Sequence, residues 1–252
     1  MNFPESKAVP QKKDCHEMEI YSLYKNITTE VKDLYSKQKY GEENSLNFFA
    51  QQLNQLILDN NLISDNSVLF VGVKYPYSEN YKKNFVILTE KISELNKLPV
   101  VYAYYHYKYD STSFYDDHIS RKAHPPQLSK SDKKRYKNSH FIIIEDAIIT
   151  GTTTEVIKTA LIDVSNRLSI IPILDLREKD YIEKELNNYF FEKNGVNGLI
   201  NLLNSKNYTP TTQLLRTLDL LKKKELVKLL SKISKPKKLI ESYKSYTDKD
   251  LI

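Results

Sequence analysis

Between residues 67 and 175, four short apolar runs are separated by amphipathic stretches, and that alternation restricts the fold of the 252-residue chain more than any other feature. The runs are SVLFVGVKY, LPVVYAYYHYKY, FIIIEDAII and LSIIPILD. The first, third and fourth hold their bulky residues side by side, the pattern of a strand covered on both faces. The second is rich in Val and Tyr, which also suits a strand. Other segments carry apolar residues three and four apart, which puts them on one face of a helix. ENSLNFFAQQLNQLILDNN (43–61) aligns Leu46, Phe49, Leu53, Leu56 and Ile57, and ENYKKNFVILTEKISELNK (79–97) aligns Phe85, Leu88, Ile92 and Leu95. From 43 to 176 the order is helix, strand, helix, strand, long loop, strand, helix, strand. Such an order predicts an α/β fold: a mostly parallel sheet flanked by helices.

Three segments follow: an N-terminal arm with a short helix (1–42), the α/β core (43–178) and a helical C-terminal extension (179–252). In the extension, helical runs are expected at 179–192, 196–204 and 210–233, the last capped by Thr209, opened by Pro210 and stopped by Pro236. Residues 205–252 hold 12 Lys/Arg and 5 Asp/Glu, whereas the rest of the chain holds 26 and 27. The net charge of +6 therefore belongs to the tail. A basic amphipathic helix can meet nucleic acid through phosphates or dock a partner protein, although such a face is often simply solvated.

Cys15 is the only cysteine, so an internal disulfide is excluded, and no Cys/His cluster suggests zinc. The opening residues lack a signal peptide's apolar core, and no run reaches the length of a membrane span. The expectation is a reduced, cytoplasmic protein with no membrane partner. His106, His118 and His124 lie near Asp110, Asp116 and Asp117, but their spacing matches no ligand pattern, so they read as loop residues.

The third apolar run continues as FIIIEDAIITGTTTEVI (141–157). Ligands of parallel α/β sheets bind outside the carboxyl ends of the strands. Glu145 and Asp146 are expected at such an end, where two carboxylates can accept hydrogen bonds from neighbouring hydroxyls or face a magnesium shell. Thr150, Gly151, Thr152, Thr153 and Thr154 then lead into a helix, whose N-terminal dipole and N–H groups suit a phosphate. Gly151 lets the backbone turn close to the ligand. Together these describe a site for a sugar phosphate.

The same residues resemble the phosphoribosyl-diphosphate motif of type I phosphoribosyltransferases: four apolar residues, two acids, two mostly apolar positions, then Thr-Gly-x-Thr. The resemblance implies that Glu145 and Asp146 contact the ribose 2′ and 3′ hydroxyls and that Thr150–Thr154 wraps the 5′-phosphate. It places a diphosphate loop at VGVKYPYSE, with Lys74 as its cation, and a closing loop over 107–138, with Arg121 and Lys122 as its basic residues. It implies transfer of the phosphoribosyl group from phosphoribosyl diphosphate to a nitrogenous acceptor. Mg²⁺ would be held largely through substrate and water, with no direct protein metal site. It also makes a homodimer or a partner protein an expectation. The sequence departs from the pattern in several places: no Gly follows Lys74, Pro76 is unusual, and Ala147 is small. Ile149 replaces the Asp that hypoxanthine-guanine enzymes use near the base, so that chemistry is not expected. The alternative implied by the weak diphosphate loop is a binding or regulatory module in a larger complex, with the same fold and reduced catalysis.

Overall fold

A computed structural model describes residues 18–74, 80–105, 125–177, 183–205, 208–247 and 250–251, apart from the side chains of Lys74 and Glu183. The arm over 1–15, Arg121, Lys122 and the loop histidines and aspartates named above lie outside the described residues.

The apolar runs form β2 (Ser67–Lys74), β3 (Val100–Tyr105), β4 (Ser139–Ile148) and β5 (Ser165–Asp175). A further strand, β1 (Met18–Ile20), comes from the segment read as an arm and helix. It pairs with Leu168–Ile170 of β5 and forms an edge. The five strands make one sheet in the order β1-β5-β4-β2-β3, and every pair is parallel. The α/β reading is therefore correct.

Alternate residues of each strand face opposite sides. Leu69, Ile142, Ile144, Ile171 and Ile173 turn to one layer, packed by α1 (Thr29–Lys39), α2 (Glu43–Asp59) and α3 (Asn84–Asn96). Val68, Phe70, Phe141, Ile143, Leu168 and Ile170 turn to the other, packed by α5 (Thr152–Leu161). Between β3 and β4 the chain makes a short helix, α4 (Lys130–Arg135). Connection β2–α3–β3 runs one way across the sheet and β4–α5–β5 the other. Right-handed crossovers then require helices on opposite faces, as found. Each fully buried aliphatic side chain in these layers stabilises by about 1.5–3 kcal/mol.

Some helical expectations needed correction. Leu95 is 55% exposed, and Val86 and Ile87 are buried in its place. The 210–233 run is two helices, α7 (Thr212–Leu218) and α8 (Lys223–Lys232). The N-cap of α7 is Thr211, whose side chain accepts from the Leu214 N–H. Pro236 opens a further helix, α9 (Pro236–Thr247), in the first-turn position that tolerates its missing N–H. Helix α6 (Glu183–Leu203) is kinked at Gly195, between the two runs expected there.

Helices α6–α9 enclose a second core containing Phe190, Leu199, Leu214, Leu215, Leu229 and Leu239. The corner between α1 and α2 joins it to the sheet layers. Tyr40 inserts into this core, its hydroxyl 3.0 Å from Thr217 Oγ1. Thr211 Oγ1 donates to the Lys39 carbonyl at 2.6 Å. Gly41 has φ +83°, and a Cβ there would overlap the Thr209 carbonyl oxygen, so only glycine fits this joint.

Candidate functional site

The order of strands reverses between β2 and β4, and the carboxyl ends of these two strands flank the crevice where ligands of open α/β sheets bind. The register shows how the crevice opens. Pairing of β2 with β4 ends at Phe70↔Ile143. Pairing of β2 with β3 continues to Lys74↔Tyr105, and β4 with β5 continues to Ile148↔Asp175. Beyond Ile143, β4 therefore loses its neighbour on the β2 side and keeps the other.

Glu145 and Asp146 lie in that half-open stretch. The sequence placed them at the end of a strand, but β4 runs through them, because the long β5 pairs with it as far as Ile148. Adjacent strand residues point to opposite faces. Glu145 alternates with Phe141 and Ile143 and belongs to the α5 face, where it is 8% exposed. Asp146 alternates with Ile142 and Ile144 and belongs to the α1–α3 face.

Asp146 has a partner that local sequence could not reveal. Lys39, in the last turn of α1, forms a close ion pair with Asp146 Oδ2, and the Ala147 N–H donates to Oδ1 at 2.9 Å. Burial alone would raise the Asp146 carboxyl. The Lys39 charge and hydrogen bond, the Ala147 N–H and the more distant Lys83 together hold it below the ordinary value. Asp146 is therefore an ionised, partnered carboxylate. An ionised carboxylate has about four lone-pair sites, so these two bonds leave it able to accept hydroxyl donors.

The Thr/Gly segment makes the turn that the sequence suggested. Gly151 has φ +75° and is the N-cap of α5, without a side-chain cap bond. A residue with a Cβ adopts that conformation at a cost of roughly 1–2 kcal/mol. Thr150 Oγ1 lies 3.1 Å from Thr152 Oγ1, and Thr154 is buried. The positive end of the α5 dipole thus sits at the carboxyl edge of the sheet. Arg177, two residues after the end of β5, stands beside Gly151: its Cδ lies 3.9 Å from where a Cβ added to Gly151 would be. It grips Asp175 with two hydrogen bonds, of 2.8 and 2.7 Å, and that cation keeps the Asp175 carboxyl below its usual range. Its position after a strand end was the available sequence signal; Lys39 offered none, since its partner lies 107 residues away.

Of the residues singled out from sequence, Glu145, Asp146 and Thr150–Thr154 gather at one edge of the sheet. Lys74 ends β2 across the crevice, and its side chain lies outside the description.

The chain matches no protein-family model and no curated protein. Several solved structures are similar to it over part of its length. The HGPRT-ase of Leishmania tarentolae in complex with GMP is 12% identical, with a TM-score of 0.34, over 57% of this chain and 73% of that one. A hypoxanthine phosphoribosyltransferase from Staphylococcus aureus is 18% identical, with a TM-score of 0.33, over 60% and 68%. The enzyme from Trypanosoma cruzi complexed with the product IMP is 14% identical, with a TM-score of 0.36, over 57% and 70%. Values this low carry no residue roles or activity across; the fold of this chain rests on its own strand register.

Proposed function

We propose that the chain binds phosphoribosyl diphosphate, or another ligand with a ribose 5-phosphate group, at the open edge of β4, and that it transfers the phosphoribosyl group to a nitrogenous acceptor. One observation carries the reading most: Glu145, Asp146 and the Gly151 turn share the edge of the sheet where β2 has separated from β4. A ribose lying in the plane of the sheet, in the gap left by β2, meets Glu145 from one face and Asp146 from the other. Its 5′-phosphate then falls to Thr150–Thr154 and the N-terminus of α5, with Arg177 alongside.

The protein's part in such a reaction is placement and electrostatics. Ionised Asp146 orients the ribose hydroxyls while Lys39 compensates its charge. Mg²⁺ would neutralise the departing diphosphate. It would be held through phosphate oxygens and water, and Glu145 and Asp146 are the carboxylates at the gap that its water shell would face. Lys74, Arg121 and Lys122 remain the proposed cations for the diphosphate and for closure over the site.

A second reading keeps the ligand and drops the turnover: a binding or regulatory module. The Lys39–Asp146 pair favours it, because the charge of Asp146 is already compensated without a ligand.

Calorimetry with phosphoribosyl diphosphate and Mg²⁺, followed by a diphosphate-release assay against a panel of bases and amines, separates the two. Binding with release supports the enzyme; binding without release supports the module. If wild type fails to bind, or if Glu145→Gln/Asp146→Asn binds as wild type does, both readings fall.

A further inference from the structure

We infer that the outward face of α8 is a docking surface for a nucleic-acid backbone, recognised by phosphate charge and not by base sequence. The helix carries Lys224, Lys228 and Lys232 at four-residue spacing, so the three share one face. Successive lysines rise by about 6 Å and the stripe is about 12 Å long. All three are exposed, and the residues interleaved on that face are Val227 and Ser231. Lys222 and Lys223 extend the stripe at one end and Lys235 at the other, and all three are exposed.

Several cations around the sheet are paired: Lys37, Lys39, Lys82, Lys91, Arg167 and Arg177 each hold a carboxylate. Among the described residues, none of the six lysines on and beside α8 has an ion-pair partner. The two nearby acids are otherwise engaged. Glu225 bonds the Lys222 N–H as part of the helix cap, and Asp219 accepts the Tyr243 hydroxyl. Lys228 reaches only a neutral group, Asn197 Oδ1, at 2.9 Å. A face of a single sign held open in this way repels itself, and a polyanion relieves that repulsion.

The chemistry of the face selects among polyanions. The apolar side of α8, Leu226 and Leu229, is buried in the second core, so this helix has no apolar face to insert into a lipid surface. The outward face has no aromatic or arginine anchor of the kind that concentrates affinity at a protein interface. It also lacks the arginine, asparagine or glutamine that reads base edges. What is left is a row of point charges, which suits a regular phosphate chain.

The test is fluorescence anisotropy of the full chain with labelled single-stranded and duplex oligonucleotides over a salt series. Binding independent of sequence is expected. Three to five neutralised phosphates give a log–log salt slope of about −2 to −4 for single strands or −3 to −5 for duplex. Lys224→Glu/Lys228→Glu/Lys232→Glu should weaken binding at least tenfold and flatten the slope. The Gln triple variant should give a smaller loss. Lys130→Glu/Lys133→Glu/Lys134→Glu changes net charge equally on α4, whose lysines are also exposed, and should change affinity less than threefold. Equal losses from the α4 and α8 variants, no oligonucleotide binding by wild type, or stripe-dependent binding only to phosphatidylserine vesicles would each overturn the proposal.

Discussion

The sheet layers and α8, within the helical unit of α6–α9, treat charge differently. Around the sheet, cations reach across elements to carboxylates: Lys91 of α3 holds Glu43 of α2, and Arg167 of β5 holds Glu19 of β1. The most enclosed of these pairs, Lys39–Asp146, lies at the candidate site. In the helical unit, α8 keeps its lysines outward and without acids, over a core built from leucine and aromatic side chains. Charge enclosed by protein must be neutralised, because desolvation penalises an isolated ion; charge on an open helix face need not be. The first arrangement positions a group, and the second leaves charge available to a partner.

The strongest way to break this comparison is Lys39→Met, which leaves Asp146 enclosed and uncompensated. The expected loss is about 3–5 kcal/mol, read from urea unfolding. Lys39→Met/Asp146→Leu should recover much of it, and a loss as large as that of the single variant would show that the pair is not the cause. Next is Gly41→Ala at the joint, where the added methyl group meets the Thr209 carbonyl. A loss of about 3 kcal/mol is expected. Two separate unfolding transitions in this variant would show that the cores are joined chiefly through this corner.

His140 provides a pH test of enclosure in the sheet layers. Its Nε2 lies 2.9 Å from Ser169 Oγ, and burial, helped by the Arg167 charge, lowers its pKa to about 4. The unfolded chain binds that proton near the ordinary value of 6.5, so between pH 6.5 and 4 the unfolded state holds more protons. Stability from this residue is therefore complete above pH 6.5 and falls as the pH drops towards 4, by about 3 kcal/mol in all. His140→Gln should flatten that limb of a stability–pH curve, and an unchanged limb would assign it to other groups. The smallest effect belongs to the α8 stripe. Lys224→Gln/Lys228→Gln/Lys232→Gln should change the unfolding free energy by less than about 0.5 kcal/mol per substitution, and a large destabilisation would mean that those lysines support the fold.

The elements legible in the sequence were those with a strong local period. Runs such as VLFV and FIII are strands because their neighbours cover both faces, and α2 follows the spacing of Leu46, Phe49, Leu53 and Ile57. The Gly151 turn was legible as well, since a left-handed residue leading into a helix favours glycine. Other features lay beyond a local pattern. MEI is three residues long and becomes a strand only because the edge of β5 at Leu168–Ile170 is there to pair with it. TQLLRTLDLLKKKELVKLL keeps a helical period throughout, yet the chain turns between Leu218 and Lys223 so that α7 and α8 enter the second core as separate helices.

The sequence alone determined the alternation of strand and helix, the position of the paired acids ahead of a Thr/Gly turn, and the surplus of lysine in the tail. These follow from neighbours a few residues apart, where side-chain period and backbone preference act directly. Tertiary structure decided the separation of β2 from β4, the continuation of β4 through Glu145 and Asp146, and the capture of Asp146 by Lys39. It also decided that Glu225 and Asp219 bond to other groups while the α8 lysines have no acid partner among the described residues. Those outcomes depend on which distant segments meet when the apolar faces are buried, and no local pattern encodes such a meeting.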